Sequence, residues 1–256
     1  GTFNVSEGTT IENNKNETYT TVFEDNIVEL ASKDHKIVAI SAAMPCGTGL
    51  SKFKKQYPDR FFDVGIAEGH AVAFAAGLAK GGFKPVVAIY STFLQRAYDQ
   101  IIHDVCINNL PVVFAIDRAG ITGRDGKTHQ GIFDLSFLSH IPNLTVMAPK
   151  NIWELEDMLE YALSCQGPVA IRYPRGEVYR GLEDKQEPIE HGKSEVIYED
   201  GDIAILAVGN MVKIGEEVAL KLKEQGRRVT LVNARFVTPL DIELLDRLGT
   251  SHNVLV

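Results

Sequence analysis

Four stretches hold side chains whose types and spacing could do chemistry. In FFDVGIAEGHAVAFAAGLAKGG (61–82) a lone carboxylate, Glu68, stands where a strand-like run ending at Gly65 gives way to an almost wholly apolar helix-like run. A charge is costly to desolvate without a partner. One account makes Glu68 a first-turn carboxylate that complements the helix dipole. The other notes that Ala67, Gly69, Ala71 and Ala73 leave room around it. A carboxylate in such a dry place is tuned toward holding or sharing a proton.

The second stretch, DRAGITGRDGKTHQGIF (117–133), carries four glycines with Arg118, Arg124, Asp125, Lys127 and His129. It leaves the strand-like PVVFAID, and ligands of parallel α/β sheets bind beyond the carboxyl ends of strands. Glycines let backbone approach a ligand, and arginines can fork onto phosphate oxygens. The plainer account is a solvated surface loop. The third, AIYSTFLQRAYDQ (88–100), ends a strand at Tyr90, offers Ser91 or Thr92 as a helix cap, and sets Phe93, Arg96 and His103 on the helix that follows. Phe93 and Tyr98 alone read more readily as core packing than as a cofactor platform, and Arg96 as readily pairs with Asp99. The fourth, RYPRG (172–176), puts two arginines at a strand end, as an anion site or a surface pair.

The elements that must position these groups alternate. KIVAI, FFDVGI, PVVAIY, PVVFAID, LTVMAP and VAIRYP read as strands. Residues 20–33, the run after Gly65, FLQRAYDQIIHDVCINN and NIWELEDMLEYALSC read as helices. Such alternation predicts an α/β fold with a parallel sheet and helices on both faces. The charged segment RGEVYRGLEDKQEPIEHGKSE then separates a second α/β pattern: IAILAVG, MVKIGEEVALKLKEQG, RRVTLVNA, TPLDIELLDRLG and NVLV, with EDGD (199–202) a turn between strands. The expected organisation is a polar lead-in over 1–18, a first domain over 19–178, a linker over 179–195, and a second, truncated α/β domain over 196–256.

The net charge of −8 argues against a broad nucleic-acid or membrane-surface role, and AVAFAAGLA is too short to span a bilayer. No targeting segment is visible, and Gly1 suggests a trimmed start. Three widely spaced cysteines, Cys46, Cys106 and Cys165, fit reduced thiols, so a cytoplasmic location is expected. The seven histidines form no spaced ligand cluster, and the standard nucleotide-binding glycine loops are missing, so no metal site is expected in this chain. The sequons at Asn4 and Asn16 are read as chance.

Taken together, AAMPCGTGL, DRFFDVGIAEGHAVAFAAGLA, KPVVAIYSTFLQRAYDQIIHDV, LPVVFAIDRAGITGRDGKTHQGIFDLSFL, IRYPRG and ARFVTPLD resemble the 1-deoxy-D-xylulose 5-phosphate synthase family. These are thiamine diphosphate enzymes related to transketolases. The resemblance runs from about Tyr19 to the last residue and implies a thiamine diphosphate pyrimidine-binding domain followed by part of a transketolase C-terminal domain. It implies that Glu68 hydrogen-bonds the cofactor's pyrimidine ring and so promotes deprotonation of its thiazolium carbon. Phe93 is implied to stack on the pyrimidine. Tyr90, Arg118 and Arg175 are implied to bind the phosphate of D-glyceraldehyde 3-phosphate, and Arg96 to lie in the active site. Asp125 and His129 are implied to contact the acceptor and the pyruvate-derived group. The reaction implied is the decarboxylation of pyruvate and transfer of its two-carbon unit to the aldehyde.

Two departures stand out. Gly69 occupies a position where the family commonly has glutamine, and the G-D-G motif with a downstream asparagine, which holds diphosphate and magnesium, is missing. The resemblance therefore implies that Mg2+ belongs to an absent N-terminal domain and that this chain is inactive alone. It also implies a homodimer, with the apolar helix after Glu68 in the contact. Two other readings are a beta-type subunit of a 2-oxoacid dehydrogenase and a non-catalytic α/β binding module. The module reading requires Glu68, Asp125 and His129 to be scattered.

Overall fold

The computed structural model describes residues 3–4, 6–10, 17–123 and 125–256; Arg124 and the sequon at Asn16 lie outside the described residues. In the polar lead-in, β1 (Phe3–Asn4) and β2 (Thr9–Thr10) pair antiparallel. Helix α1 (Tyr19–Lys33) starts from a capping box in which Thr18 and Thr21 satisfy each other's backbone N–H groups. The first unit continues through β3 (Ile37–Ser41), α2 (Ser51–Gln56), β4 (Phe61–Asp63), α3 (Glu68–Lys80) and β5 (Lys84–Tyr90). A broken helix follows over residues 91–106. It comprises α4 (Ser91–Leu94), a 3-10 turn, α5 (Tyr98–Gln100) and a π-helical stretch (Ile101–Cys106). The unit closes with β6 (Val113–Asp117), α6 (Asp134–Leu138), β7 (Thr145–Met147), α7 (Ile152–Ser164) and β8 (Val169–Arg172).

These six strands pair in the order β7-β8-β6-β5-β3-β4, every pairing parallel. Successive side chains of a strand point to opposite faces. Ala39, Val86, Ala88, Val113, Ala115 and Ile171 therefore pack with Phe23 and Ile27 of α1 and Leu155 and Met158 of α7. Ile40, Val87, Ile89, Phe114 and Ile116 pack with Ala71, Val72 and Ala75 of α3 on the other side. Burial on both faces is why the strands read as unbroken apolar runs.

The second unit comprises β9 (Glu195–Tyr198), β10 (Ile203–Ala207), α8 (Met211–Glu224), β11 (Val229–Asn233), β12 (Phe236–Thr238), α9 (Ile242–Ser251) and β13 (Val254–Leu255). Its sheet runs β13-β10-β11-β9, with α8 packed on one face and α9 on the other. β12 does not join this sheet; it adds antiparallel to β7, making the first sheet seven-stranded.

Three expected elements differ. FFDVGI is a strand only to Asp63, because Gly65 turns the chain at φ +73° while the Asp63 carboxylate accepts from the N–H groups of Ala43 and Gly65. FLQRAYDQIIHDVCINN is not one regular helix, and α4 begins at Ser91 without a side-chain cap from Ser91 or Thr92. TPLDIELLDRLG is helical only from Ile242, where Asp241 caps the N–H of Leu244 and Pro239 stands upstream.

A buried charge cluster joins the units. Lys150 donates to Glu195 at 2.7 Å and lies 3.5 Å from Glu154; Arg235 lies 2.9 Å from Glu154 and 3.1 Å from Glu195; Asn233 donates to both carboxylates. Two cations and two anions balance in a place where an unpaired charge would be costly.

Candidate active site

The carboxyl ends of β3, β4, β5, β6 and β8 share one edge of the sheet, and the chemistry-bearing side chains stand just beyond it. Five residues past the end of β4, α3 starts with Glu68, whose side chain is 3% exposed. It is not alone: Arg96 Nη1 donates to Glu68 Oε1 at 2.6 Å. The pair corrects both the expectation of an unpartnered carboxylate and the alternative Arg96–Asp99 pair, since Asp99 takes His103 at 2.8 Å instead. Glu68 Oε2 makes no hydrogen bond among the described residues.

Arg96 also lies over the Phe93 ring, 4.9 Å from its centroid. Phe93 stacks with Tyr90 (5.9 Å, 21°) and meets the edge of His129 (5.2 Å, 71°). The guanidinium of Arg118 covers the Tyr90 ring at 3.9 Å. Arg118 Nε donates to Asp125 at 3.3 Å, and Arg175 pairs with the other oxygen of the same carboxylate. Glu68, Arg96, Phe93, His129, Tyr90, Arg118, Asp125 and Arg175 thus form one contiguous chain of contacts. That argues against the scattered arrangement a non-catalytic module requires. Lys127 is exposed in the 3-10 turn before His129, and His103 points its ring to exposed Asp99.

Backbone placement decides how close these groups come. A Cβ on Gly47 would lie 1.6 Å from the Tyr90 hydroxyl, so only glycine lets the segment after β3 lie against that ring. The Gly47 carbonyl accepts from Arg118 Nη1 at 2.6 Å. The 117–133 loop is closed at its neck by two reciprocal Gly120–Gly131 hydrogen bonds of 2.8 Å. At its exit Asp134 takes a buried two-pronged pair from Arg172 (2.7 and 3.3 Å). The two arginines of RYPRG therefore split: Arg172 is a buried structural pair and Arg175 reaches Asp125.

Sequence reasoning passed over Asp117, Thr20 and Gly47. Asp117 ends β6 with no exposure, accepting from Thr20 Oγ1 at 2.7 Å and from the Arg118 N–H at 2.6 Å. Burial pushes its carboxyl from 3.8 up to about 6, against the pull of Arg118 and the Thr20 hydroxyl. Its signal was the acid that opens DRAG; Thr20, nearly a hundred residues away, had none.

Residues 15–180 match the transketolase pyrimidine binding domain and residues 192–256 the transketolase C-terminal domain. The chain is 58% identical over 254 residues to 1-deoxy-D-xylulose-5-phosphate synthase of Lachnoclostridium phytofermentans, covering 99% of this chain and 41% of that protein. It is 57% identical to the synthase of Halothermothrix orenii, covering 95% and 38%. The chain thus spans about two fifths of these relatives' length. Among solved structures, a split-gene transketolase described as an inactive beta4 tetramer superposes with TM-score 0.84 at 30% identity, covering 94% of this chain and 78% of that one. A transketolase of Pichia stipitis shares the fold at TM-score 0.74 and 19% identity, covering 86% and 35%. With its pyrimidine-binding domain matched over well more than half its length, the chain belongs to the transketolase family.

Proposed function

We propose that this chain is part of a thiamine diphosphate-dependent transferase that condenses pyruvate with D-glyceraldehyde 3-phosphate to 1-deoxy-D-xylulose 5-phosphate, releasing carbon dioxide. The observation that carries this reading is a buried carboxylate with one unused oxygen, linked through an aromatic ring to a two-arginine fork. The residues fit the cofactor: Glu68 Oε2 is an acceptor for a pyrimidine N–H, and Phe93, which packs against the Arg96 that holds Glu68, is the aromatic assigned to the pyrimidine. When bound, thiamine diphosphate supplies the carbon nucleophile and the electron sink for decarboxylation. The chain's own residues orient and discriminate. Glu68 holds the pyrimidine end, and Arg96 fixes the Glu68 carboxylate in place. His129, edge-on to Phe93, is assigned the proton transfer to or from the reacting carbonyl. Arg118 and Arg175 bind the acceptor's phosphate, displacing or sharing Asp125.

The diphosphate and Mg2+ are assigned to sequence outside this chain, and the protein is proposed to pair with a second copy of itself. The exposed side of α3, with His70, Ala73 and Gly77, is the face proposed for that contact. A cytoplasmic location is part of the same proposal; among the described residues no helix is long and apolar enough to cross a membrane. The split-gene relative, of similar extent and named inactive, favours a second arrangement in which such a half-enzyme is a subunit completed by another chain.

Carbon dioxide release from pyruvate, with thiamine diphosphate, Mg2+ and D-glyceraldehyde 3-phosphate present, tests the reading. The expected result is no turnover by this chain alone and turnover when the remaining part of the synthase is supplied. Replacing Glu68 by alanine should then lower kcat by about 10²–10³, as for a lost catalytic hydrogen bond. Normal turnover by that variant would overturn the role of Glu68.

A further inference from the structure

Arg118 is held in an unusual way. Its backbone sits in the left-handed region at φ +59°, a conformation that strains a residue with a Cβ. Its hydrogen bonds use the main-chain N–H, Nε and Nη1, and Nη2 makes none among the described residues. Asp117 touches both ends of this residue. Its Oδ1 accepts from the Arg118 N–H at 2.6 Å and lies 3.1 Å from Arg118 Nη1. Its Oδ2 is fixed by the Thr20 hydroxyl at 2.7 Å, tying the arrangement to the first turn of α1. One carboxylate with no exposure thus fixes the strained backbone and the guanidinium of the same arginine.

We propose that Asp117 is a positioning residue for the phosphate of the acceptor: it holds Arg118 flat on Tyr90 with one guanidinium nitrogen free for the anion. The proposal rests on the reading of Arg118 as a phosphate ligand. The charge of Asp117 gives it a distinctive signature. A carboxylate beside the guanidinium weakens the field an incoming phosphate feels. If Asp117 acted through charge alone, its neutralisation would tighten binding of a phosphorylated acceptor. A positioning role predicts the opposite sign.

The test compares D-glyceraldehyde 3-phosphate with unphosphorylated glyceraldehyde as acceptors for the complete enzyme. Asp117→Asn should raise KM for the phosphorylated acceptor by about 10- to 100-fold, the scale of a misplaced binding group, and leave the other acceptor within about 2-fold. Arg118→Ala is the control. If it loses preference for the phosphorylated acceptor while Asp117→Asn keeps or improves it, the positioning role is overturned and the anion site stands. If Arg118→Ala leaves both acceptors unchanged, the anion site itself is wrong. Should Asp117→Asn fail to fold, Thr20→Val removes only the hydroxyl that fixes Oδ2. It should shift KM in the same direction by less, and an unchanged KM would overturn the proposal.

Discussion

Asp117 also makes a prediction about stability. Its carboxyl has a folded value of about 6 against 3.8 for an ordinary aspartate. Between those values the folded protein keeps a proton that the unfolded chain releases, so stability from this group is fully present below about pH 4 and is lost as pH rises through 6. At about 1.4 kcal/mol per pH unit the loss approaches 3 kcal/mol. In urea titrations from pH 4 to 7, Asp117→Asn should lack this component and gain on the parent protein as pH rises. A constant difference across that range would refute the shift. At this scale the side chains that the structure brings together were legible: Glu68, Phe93, Tyr90, Arg96, Arg118, Asp125, His129 and Arg175 were singled out by residue type and by motif resemblance. Their pairings were not. Glu68–Arg96 and Asp117–Thr20 join groups 28 and 97 residues apart, and no local spacing encodes such pairs.

At the scale of elements, strands and the amphipathic helices followed from periodicity, because each buries a defined face. The loop at 117–133 did not, since its conformation depends on contacts across its neck. Gly131 shows why: a Cβ there would lie 2.2 Å from the Arg118 carbonyl and 2.6 Å from Ser91 Oγ. The backbone oxygen cannot yield as a flexible side chain would, so Gly131→Ala should open the Gly120–Gly131 bridge. The expected cost is about 1–3 kcal/mol of stability, as for other overpacked sites. Hydrogen exchange would show it as lost protection of the Gly120 and Gly131 amides, and retained protection would contradict this account. The helix after Tyr90 was misread for a related reason. Its sequence has ordinary helical spacing, while the folded chain takes a 3-10 turn from which Arg96 reaches Glu68 and a π-helical stretch beyond it.

At the scale of the molecule, the two units are joined by β12 on β7 and by the buried Lys150, Glu154, Glu195, Asn233 and Arg235 cluster. Burial pushes the Glu154 carboxyl upward; for Glu195 the hydrogen bond and charge of Lys150, with Arg235, outweigh burial and hold it below the usual range. Arg235→Met would leave two buried carboxylates facing one lysine and should destabilise the protein by about 3–5 kcal/mol in chemical denaturation. A loss below 1 kcal/mol would mean that water or rearrangement satisfies the cluster. None of these five residues was singled out in the sequence, because their pairings join distant segments of the chain. The sequence by itself determined the α/β class, the first sheet's strands and the side chains that face the site, since apolar periodicity and local motifs are properties of the chain. Tertiary structure alone decided that Arg96 answers Glu68, that one carboxylate holds both ends of Arg118, and that β12 crosses between sheets, because each depends on which distant segments meet once the two faces of the sheet are covered.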